Sequence, residues 1–220
     1  MWYDTWVKEV IDAFLSHDIK TFIESIGIFG IWAVVFAESG LLVGFFLPGD
    51  SLLFTAGFLA SPVNGWFSIW PLVLGSWVAA IVGDNVGYEF GKRVGPRLFS
   101  REKSLLFNPE HVAKAQAFYE KHGGIAITLA RFVPVVRTFV PVVAGIGKME
   151  HKSFTYYNFL GGTVWVWLMT WGGYFLGKIP GVEKHLELII ISIIIASVLP
   201  PIWHLYKERK EASKVDTIQK

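Results

Sequence analysis

The sequence has 220 residues, of which 53% are hydrophobic and 17% are charged, and its mean hydropathy is +0.46. Soluble domains carry about 25% charged residues, so this composition predicts a membrane protein. The absence of cysteine excludes disulfides, thiolate metal sites and cysteine nucleophiles, and a net charge of +2 argues against a nucleic-acid-binding protein.

Residues 1–27 are predicted to form an amphipathic N-terminal segment. Trp6, Val10 and Phe14 recur at helical spacing among acidic and basic residues. This pattern is typical of a helix in the membrane interface or of a cover over a membrane bundle. The segment lacks the basic start and unbroken apolar core of a cleaved signal peptide.

The apolar segment from residue 28 to residue 60 is interrupted by Leu47-Pro48-Gly49-Asp50. A proline followed by a glycine ends one helix, and Asp50 can cap the next. Two half-helices are therefore expected, either as a re-entrant hairpin or as one broken span. Irregular backbone at that depth must pack in protein or face a watery cavity.

Residues 66–90 are long enough for a full span, since a bilayer needs about 20 apolar residues. Glycines at every fourth position predict a groove for close helix packing, within the chain or between chains, at Gly83, Gly87, Gly91 and Gly95. The polar segment 92–122 follows and is expected to contain a short helix from Asn108 to Gly123.

The second half of the chain has the same plan. Residues 125–147 form an apolar segment that Pro134 and Pro141 are expected to break, which makes it a second candidate hairpin. Two uncharged segments, 153–177 and 188–206, are predicted spans, and a basic tail occupies residues 207–220.

An internal repeat relates the two halves. Gly87-Tyr88-x-x-Gly91-Lys92-x-x-Gly95 reappears 86 residues later as Gly173-Tyr174-x-x-Gly177-Lys178-x-x-Gly181, and the same offset takes Pro48 to Pro134. Repeat one spans about 28–95 and repeat two about 109–181. If each hairpin is re-entrant, each half crosses the membrane once, so the second half is inverted relative to the first.

Lysine and arginine are concentrated in the segments 92–122, 148–152 and 207–220. Cytoplasmic loops carry an excess of these residues, so we expect a multi-pass protein with a cytoplasmic C-terminus. The predicted fold is an all-α polytopic membrane protein with one membrane domain, 28–206. It consists of an inverted repeat of amphipathic helix, broken re-entrant hairpin and transmembrane helix, plus a C-terminal transmembrane helix.

Six charged residues lie within the apolar segments: Glu38, Asp50, Asp84, Glu89, Arg131 and Arg137. A charge at the bilayer centre costs about 2.5–3.5 kcal/mol, so these groups must pair or contact water. Glu89 is next to the basic loop and is expected at the interface. Purely structural roles are a helix cap for Asp50, a hydrogen bond across the glycine groove for Asp84, and counter-ions for the arginines.

The arrangement of these charges also predicts a function. Two acids lie in the first hairpin and two arginines in the second, and the repeat brings the hairpins together. Arg131 and Arg137 can bind phosphate through their rigid donor forks, whereas Glu38 and Asp50 can take up protons because low dielectric favours the neutral carboxyl. Asp84 is a secondary candidate.

Other chemical signals are missing from the sequence. No pair of residues has metal-ligand spacing, and no nucleophile motif has a base at a suitable spacing. We therefore expect neither an enzyme nor a cofactor.

Four motifs in order resemble the bacterial DedA family, whose domain is also called the VTT or SNARE-associated domain. They are Phe36-x-Glu38, Leu47-Pro48-Gly49-Asp50-Ser51, Gly83-Asp84-x-x-Gly87-Tyr88-x-x-Gly91 and Arg131-Phe132-x-Pro134-x-Val136-Arg137-Thr138-x-x-Pro141-x-x-Ala144-Gly145. The resemblance runs from about residue 20 to residue 205. It implies a bacterial inner-membrane protein with two facing re-entrant hairpins that moves lipids across the bilayer.

The same resemblance suggests substrates and roles. Family members are linked to recycling of undecaprenyl phosphate and to translocation of phosphatidylethanolamine, with dependence on the proton-motive force. By this resemblance Glu38 and Asp50 are the proton-sensitive acids, and Arg131 and Arg137 bind the headgroup.

The resulting hypothesis is a proton-linked lipid flippase. Arg131 and Arg137 hold a phosphate headgroup, protonation of Glu38 or Asp50 weakens or resets that hold, and the acyl chain stays in the bilayer. The expected partners are a membrane lipid and protons, without nucleic acid, and homo-oligomerisation stays open. The alternatives are a proton-coupled transporter of a small solute or cation, and a scaffold whose charges are structural pairs.

Overall fold

A computed structural model of the chain describes residues 19–41, 44, 47, 49–98, 123–182 and 189. The regular secondary structure of these residues is helical, in six helices: α1 (Ile19–Gly40), α2 (Gly49–Leu59), α3 (Ile69–Leu98), α4 (Ile125–Ala130), α5 (Pro134–Ile146) and α6 (His151–Leu176). The predictions for residues 1–18, for the short helix after Asn108, for nearly all of the span 188–206 and for the tail lie outside the described residues.

The first helix changes direction at Gly27, whose φ of 61° and ψ of −171° are not helical. Glycine is required there because side chains disfavour this backbone conformation. The kink coincides with the predicted end of the amphipathic segment. Beyond it, residues 28–40 rise only about 20 Å at about 1.5 Å per residue.

The helices that flank the two breaks are short. α2 has 11 residues and α5 has 13, so they rise about 17 and 20 Å. The first break is longer than the proline-glycine motif predicts, because α1 already ends at Gly40. Asp50 lies in the first turn of α2, where a carboxylate interacts favourably with the helix dipole.

The helices α3 and α6 are long. α3 has 30 residues and α6 has 26, more than the roughly 20 needed to cross a bilayer. The predicted spans 66–90 and 153–177 therefore lie on continuous helices with shifted ends. By length and composition, the stretches Lys20–Gly40 and Ile69–Val94 can each cross a membrane.

The glycine groove of α3 packs within the chain. A Cβ added to Gly83 would overlap the carbonyl of Phe36 in α1, and one added to Gly91 would overlap the carbonyl of Val142 in α5. A similar contact joins α2 to α6, where a Cβ on Gly173 would overlap the carbonyl of Phe54. The second helix of each broken segment thus packs against the long helix of the other half.

The expectation that Pro141 breaks the second apolar segment is wrong. α5 continues through Pro141, and the break lies at residues 131–133, just before Pro134 in the first turn of α5. In the first turn of a helix a backbone N–H has no carbonyl partner within the helix, so Pro134 loses no hydrogen bond there. Pro141 lies inside the helix and cannot donate to the carbonyl of Arg137. The close packing of α5 on Gly87 and Gly91 of α3 holds the helix together despite this loss.

The core and the outer surface are both apolar. Side chains of α1, α2, α3 and α6 form the main core, which includes Ile31, Val35, Leu52, Leu53, Phe58, Leu72, Val73 and Trp165. On the outer side of α3, exposed apolar residues recur every fourth position at Trp70, Leu74, Val78, Val82 and Val86. An exposed apolar stripe of this kind is expected of a helix that faces lipid.

Candidate functional site

Three charged side chains from three helices meet at the broken segments. Arg137 of α5 donates from Nη2 to Oε1 of Glu38 in α1, and from Nη1 to Oδ1 of Asp50 in α2. The exposed fractions of the side chains are 4% for Glu38, 9% for Arg137 and 14% for Asp50. These three residues, here called the Arg137 cluster, tie α1, α2 and α5 together.

Each member of the Arg137 cluster lies close to a helix end. Glu38 precedes the end of α1, and Asp50 and Arg137 lie in the first turns of α2 and α5. A Cβ on Gly49 would overlap the carboxylate of Glu38. Gly49, the first residue of α2, therefore makes room for the carboxylate of Glu38.

A second group forms around Arg131, in the turn between α4 and α5. Its Nη1 donates to Oδ2 of Asp84 in α3 and to Oδ1 of Asn158 in α6. The exposed fractions are 7% for the Arg131 side chain and 5% for Asp84. These three residues, here called the Arg131 cluster, link the turn to both long helices.

The Trp165 side chain of α6 contacts both clusters. It is 2% exposed, and its Nε1 donates to Oδ1 of Asp50 over 2.7 Å. Its ring lies 4.5 Å from Cζ of Arg137 and 5.6 Å from Cζ of Arg131, which are cation–π distances. Trp165 could not be singled out from the sequence, because it is uncharged and one of ten tryptophans.

Asn158 was also missed. It is 1% exposed, and its Nδ2 donates to the carbonyl of Ile81 over 3.3 Å while its Oδ1 accepts from Arg131. An asparagine inside the uncharged span 153–177 was the available signal, because a buried amide in an apolar helix needs hydrogen-bond partners.

The two arginines border a common cavity of about 10 Å³, together with Asp84, Ile127, Val140, Pro141 and Phe154. A volume of this size holds about one water molecule. In this conformation Nη1 and Nη2 of Arg137 donate to Asp50 and Glu38. Nη1 of Arg131 donates to Asp84 and Asn158, and its Nε is buried without a hydrogen-bond partner among the described residues. The structure therefore brings the predicted arginines together in a closed state without room for a phosphate.

The remaining charged candidate, Glu89, lies apart from both clusters. Its carboxylate is 33% exposed and pairs with Lys92 at 3.8 Å and Arg93 at 3.4 Å. Within the described part of the chain, no three His, Asp or Glu side chains are placed to hold a metal ion. The buried charges are thus the chemical centre of the described structure.

Comparisons with known proteins identify the family of the chain. Residues 47–179 match the VTT domain. The chain is 43% identical over 211 residues to Protein DedA of Escherichia coli strain K12, covering 93% of this chain and 96% of that protein. It is also 43% identical to an uncharacterized membrane protein of Mycobacterium leprae, covering 82% of each.

A more distant relative is Inner membrane protein YghB of Escherichia coli strain K12, which is 31% identical over 86% of this chain and 87% of that protein. No solved structure matches the chain. From the VTT domain match and the similarity over nearly its whole length, this chain belongs to the DedA family of membrane proteins.

Proposed function

We propose that the chain is a proton-linked lipid flippase of the bacterial inner membrane, which translocates undecaprenyl phosphate or a phospholipid such as phosphatidylethanolamine. The Arg137 cluster carries this proposal. A guanidinium suited to phosphate is held inside an apolar bundle by two carboxylates from separate helices beside the first break. The similarity to Inner membrane protein YghB supports the inner membrane as the location.

The proposed topology is two re-entrant hairpins in an inverted repeat, with a cytoplasmic C-terminus. The arms α2 and α5 rise about 17 and 20 Å, which is shorter than the roughly 30 Å of hydrocarbon in a bilayer. Trp77 Nε1 donates to Thr163 Oγ1 over 2.9 Å, and these residues are separated by 86 positions, the offset of the repeat. Contact between equivalent residues supports a symmetry axis between α3 and α6.

The charge balance suggests how protons enter the mechanism. Three acids, Glu38, Asp50 and Asp84, face two arginines, so the buried groups carry a net charge of about −1 when all are ionised. Adding a phosphate without protons would increase the buried negative charge, which is unfavourable at low dielectric. Binding of an anionic headgroup such as that of undecaprenyl phosphate therefore requires proton uptake in this proposal.

The expected effect of protonation on headgroup binding is then opposite to the one predicted from the sequence. Glu38 and Asp50 occupy the donors of Arg137 when they are ionised. Protonation of either acid weakens that ion pair and frees donors for phosphate, so it strengthens the hold on the headgroup. Release of Arg137 also removes the tie between α5 and the arms α1 and α2, and this can open the closed site while the acyl chain stays in the bilayer.

The proposal is tested with purified protein in liposomes containing either undecaprenyl phosphate or phosphatidylethanolamine, with and without a pH gradient. We expect translocation of one lipid, faster with the gradient and lost in Arg137→Ala. The matched control is Arg93→Ala, which removes an exposed arginine from the end of α3 and should translocate normally.

The outcomes separate the alternatives. Translocation that Arg137→Ala abolishes and Arg93→Ala retains supports the flippase and identifies its lipid. If the folded protein moves neither lipid, the flippase proposal is wrong and solute transport becomes the hypothesis to test. If Arg137→Ala loses only stability and still translocates, the ion pairs are structural.

A further inference from the structure

Two donors converge on one oxygen of Asp50. Arg137 Nη1 and Trp165 Nε1 both donate to Oδ1, from helices α5 and α6. Arg137 belongs to a short arm at a break, whereas Trp165 lies within a 26-residue helix. The indole is therefore the donor that stays in place when α5 moves.

We propose that Trp165 is a positioning residue of the headgroup site: its N–H keeps Asp50 paired while Arg137 binds the phosphate, and its ring orients both guanidinium groups. This inference rests on the proposed function and extends it to a residue without charge.

The hydrogen bond from the Trp165 N–H to Asp50 matters at the moment when Arg137 leaves Asp50. A buried carboxylate that loses its cation is strongly disfavoured unless another donor remains. Asp50 keeps the hydrogen bond from Trp165 Nε1 when Arg137 turns to a headgroup. For Glu38, in contrast, Oε2 is buried without a hydrogen-bond partner among the described residues.

This difference assigns different roles to Glu38 and Asp50. Glu38 is the acid that takes up the proton, because its ionised form depends on Arg137. Asp50 keeps the indole N–H as a donor and anchors the first turn of α2 against Trp165. The two acids are thus not interchangeable, although each pairs with the same arginine.

The contact of the Trp165 ring with Arg131 and Arg137 orients their guanidinium groups. A guanidinium that lies over an indole ring is held through the cation–π interaction, while its N–H edge stays available for a planar, bidentate contact with phosphate. Both arginines lie over the Trp165 ring and border the same cavity. One ring therefore sets the positions of both proposed headgroup ligands.

Charged groups reach Trp165 from every element around it, and a pH test must consider all of them. Those in direct contact are Asp50 of α2, Arg137 of α5 and Arg131 of the preceding turn. Behind the arginines lie Glu38 of α1 and Asp84 of α3.

The decisive variant is Trp165→Phe, which keeps an aromatic ring and removes the N–H. The matched control is Trp77→Phe, which removes an indole N–H that donates to Thr163 in the same bundle, away from the buried charges. The measurement is the initial rate of lipid translocation in liposomes, with equal pH on both sides, from about pH 8 to about pH 5.

We expect Trp165→Phe to lower the rate about tenfold or more at about pH 8, where Glu38 and Asp50 compete for the donors of Arg137 and the loss of the indole N–H leaves Asp50 without a replacement donor. At about pH 5 the loss should shrink to about threefold or less, because protonation of Glu38 frees Nη2 of Arg137 for the phosphate while Nη1 stays with Asp50. Trp77→Phe should lower the rate less than about threefold at every pH.

A second variant separates the ring from the N–H. Trp165→Leu should raise the concentration of soluble farnesyl phosphate needed for half-inhibition about tenfold, whereas Trp165→Phe should leave it within about threefold. If Trp165→Leu does not fold, the pH profile of the translocation rate in Trp165→Phe still tests the role of the N–H.

Two results would overturn the inference alone: transport that depends on Arg137 but is unchanged in Trp165→Phe, or a loss in Trp165→Phe that is the same at every pH. The second result would assign Trp165 to core packing. If the unchanged protein moves no lipid, the proposed function fails and this inference fails with it.

Discussion

The two arginine clusters have the same chemistry but different supports. In each, one guanidinium is shared between two acceptors on different helices. The partners of Arg131 lie within the long helices α3 and α6, whereas those of Arg137 lie at the helix ends beside the first break, near the end of α1 and in the first turn of α2. Asp50 is also more exposed than Asp84, 14% against 5%.

This difference assigns the clusters different mechanical roles. A break lets the helices beside it pivot when their ion pairs are released, whereas the two long helices are continuous through the bundle. We therefore expect the Arg131 cluster to hold the bundle together and the Arg137 cluster to rearrange during transport.

The largest stability effect is expected for Arg131→Ala. It leaves Asp84 buried without its cation, so the free energy of unfolding should fall by about 3–5 kcal/mol. The free energy of unfolding should fall less in Arg137→Ala, because Asp50 keeps its hydrogen bond from Trp165 and is partly exposed. Denaturant unfolding of the purified variants in detergent measures both.

The control for Arg131→Ala is the double variant Arg131→Met with Asp84→Leu. Replacing both charges by apolar groups removes the unpaired acid and should recover most of the lost stability. A greater loss of stability in Arg137→Ala than in Arg131→Ala would contradict the assignment of the anchoring role.

An intermediate effect is expected for Gly173→Ala. The added Cβ would overlap the carbonyl of Phe54, so α2 must shift from α6 and carry Asp50 away from Trp165. We expect a loss of about 1–3 kcal/mol in unfolding free energy, and slower translocation. The Arg131 cluster does not involve α2 and should stay intact.

The neighbouring glycine supplies the control. A Cβ on Gly172 would lie 3.6 Å from the nearest ring atom of Phe54, an ordinary contact. Thermal unfolding of Gly172→Ala should therefore match that of the unchanged protein. Equal effects of the two substitutions would show that the α2–α6 contact is not tight.

The smallest effect is expected for Glu89→Gln. The ion pairs of Glu89 with Lys92 and Arg93 are exposed to solvent or headgroups, and such pairs contribute less than about 1 kcal/mol. Stability and translocation should both stay close to those of the unchanged protein. Loss of translocation would mean that a charge outside the two clusters takes part in transport.

Much of the local structure follows from the sequence. The break before Pro134 and the continuous helix through residues 153–176 lie where proline and the apolar pattern predict them. Pro141 is the exception, because close packing against α3 outweighs the loss of one backbone hydrogen bond.

The candidate site was predictable as a set of charges but not as a set of contacts. Buried charges must be paired, so Glu38, Asp50, Asp84, Arg131 and Arg137 could be identified without coordinates. Their separation along the chain leaves several pairings open. In the structure Asp84 pairs with Arg131. Glu38 and Asp50 both pair with Arg137.

Composition and local pattern thus establish a helical membrane protein with two broken segments and buried charges that need partners, because these properties depend on each residue and its near neighbours. The choice of partners, the continuity of α5 and the place of Trp165 between two arginines depend on how the helices are rotated and shifted against one another. Backbone contacts at glycines such as Gly91 and Gly173 set these rotations, and only the folded chain contains them.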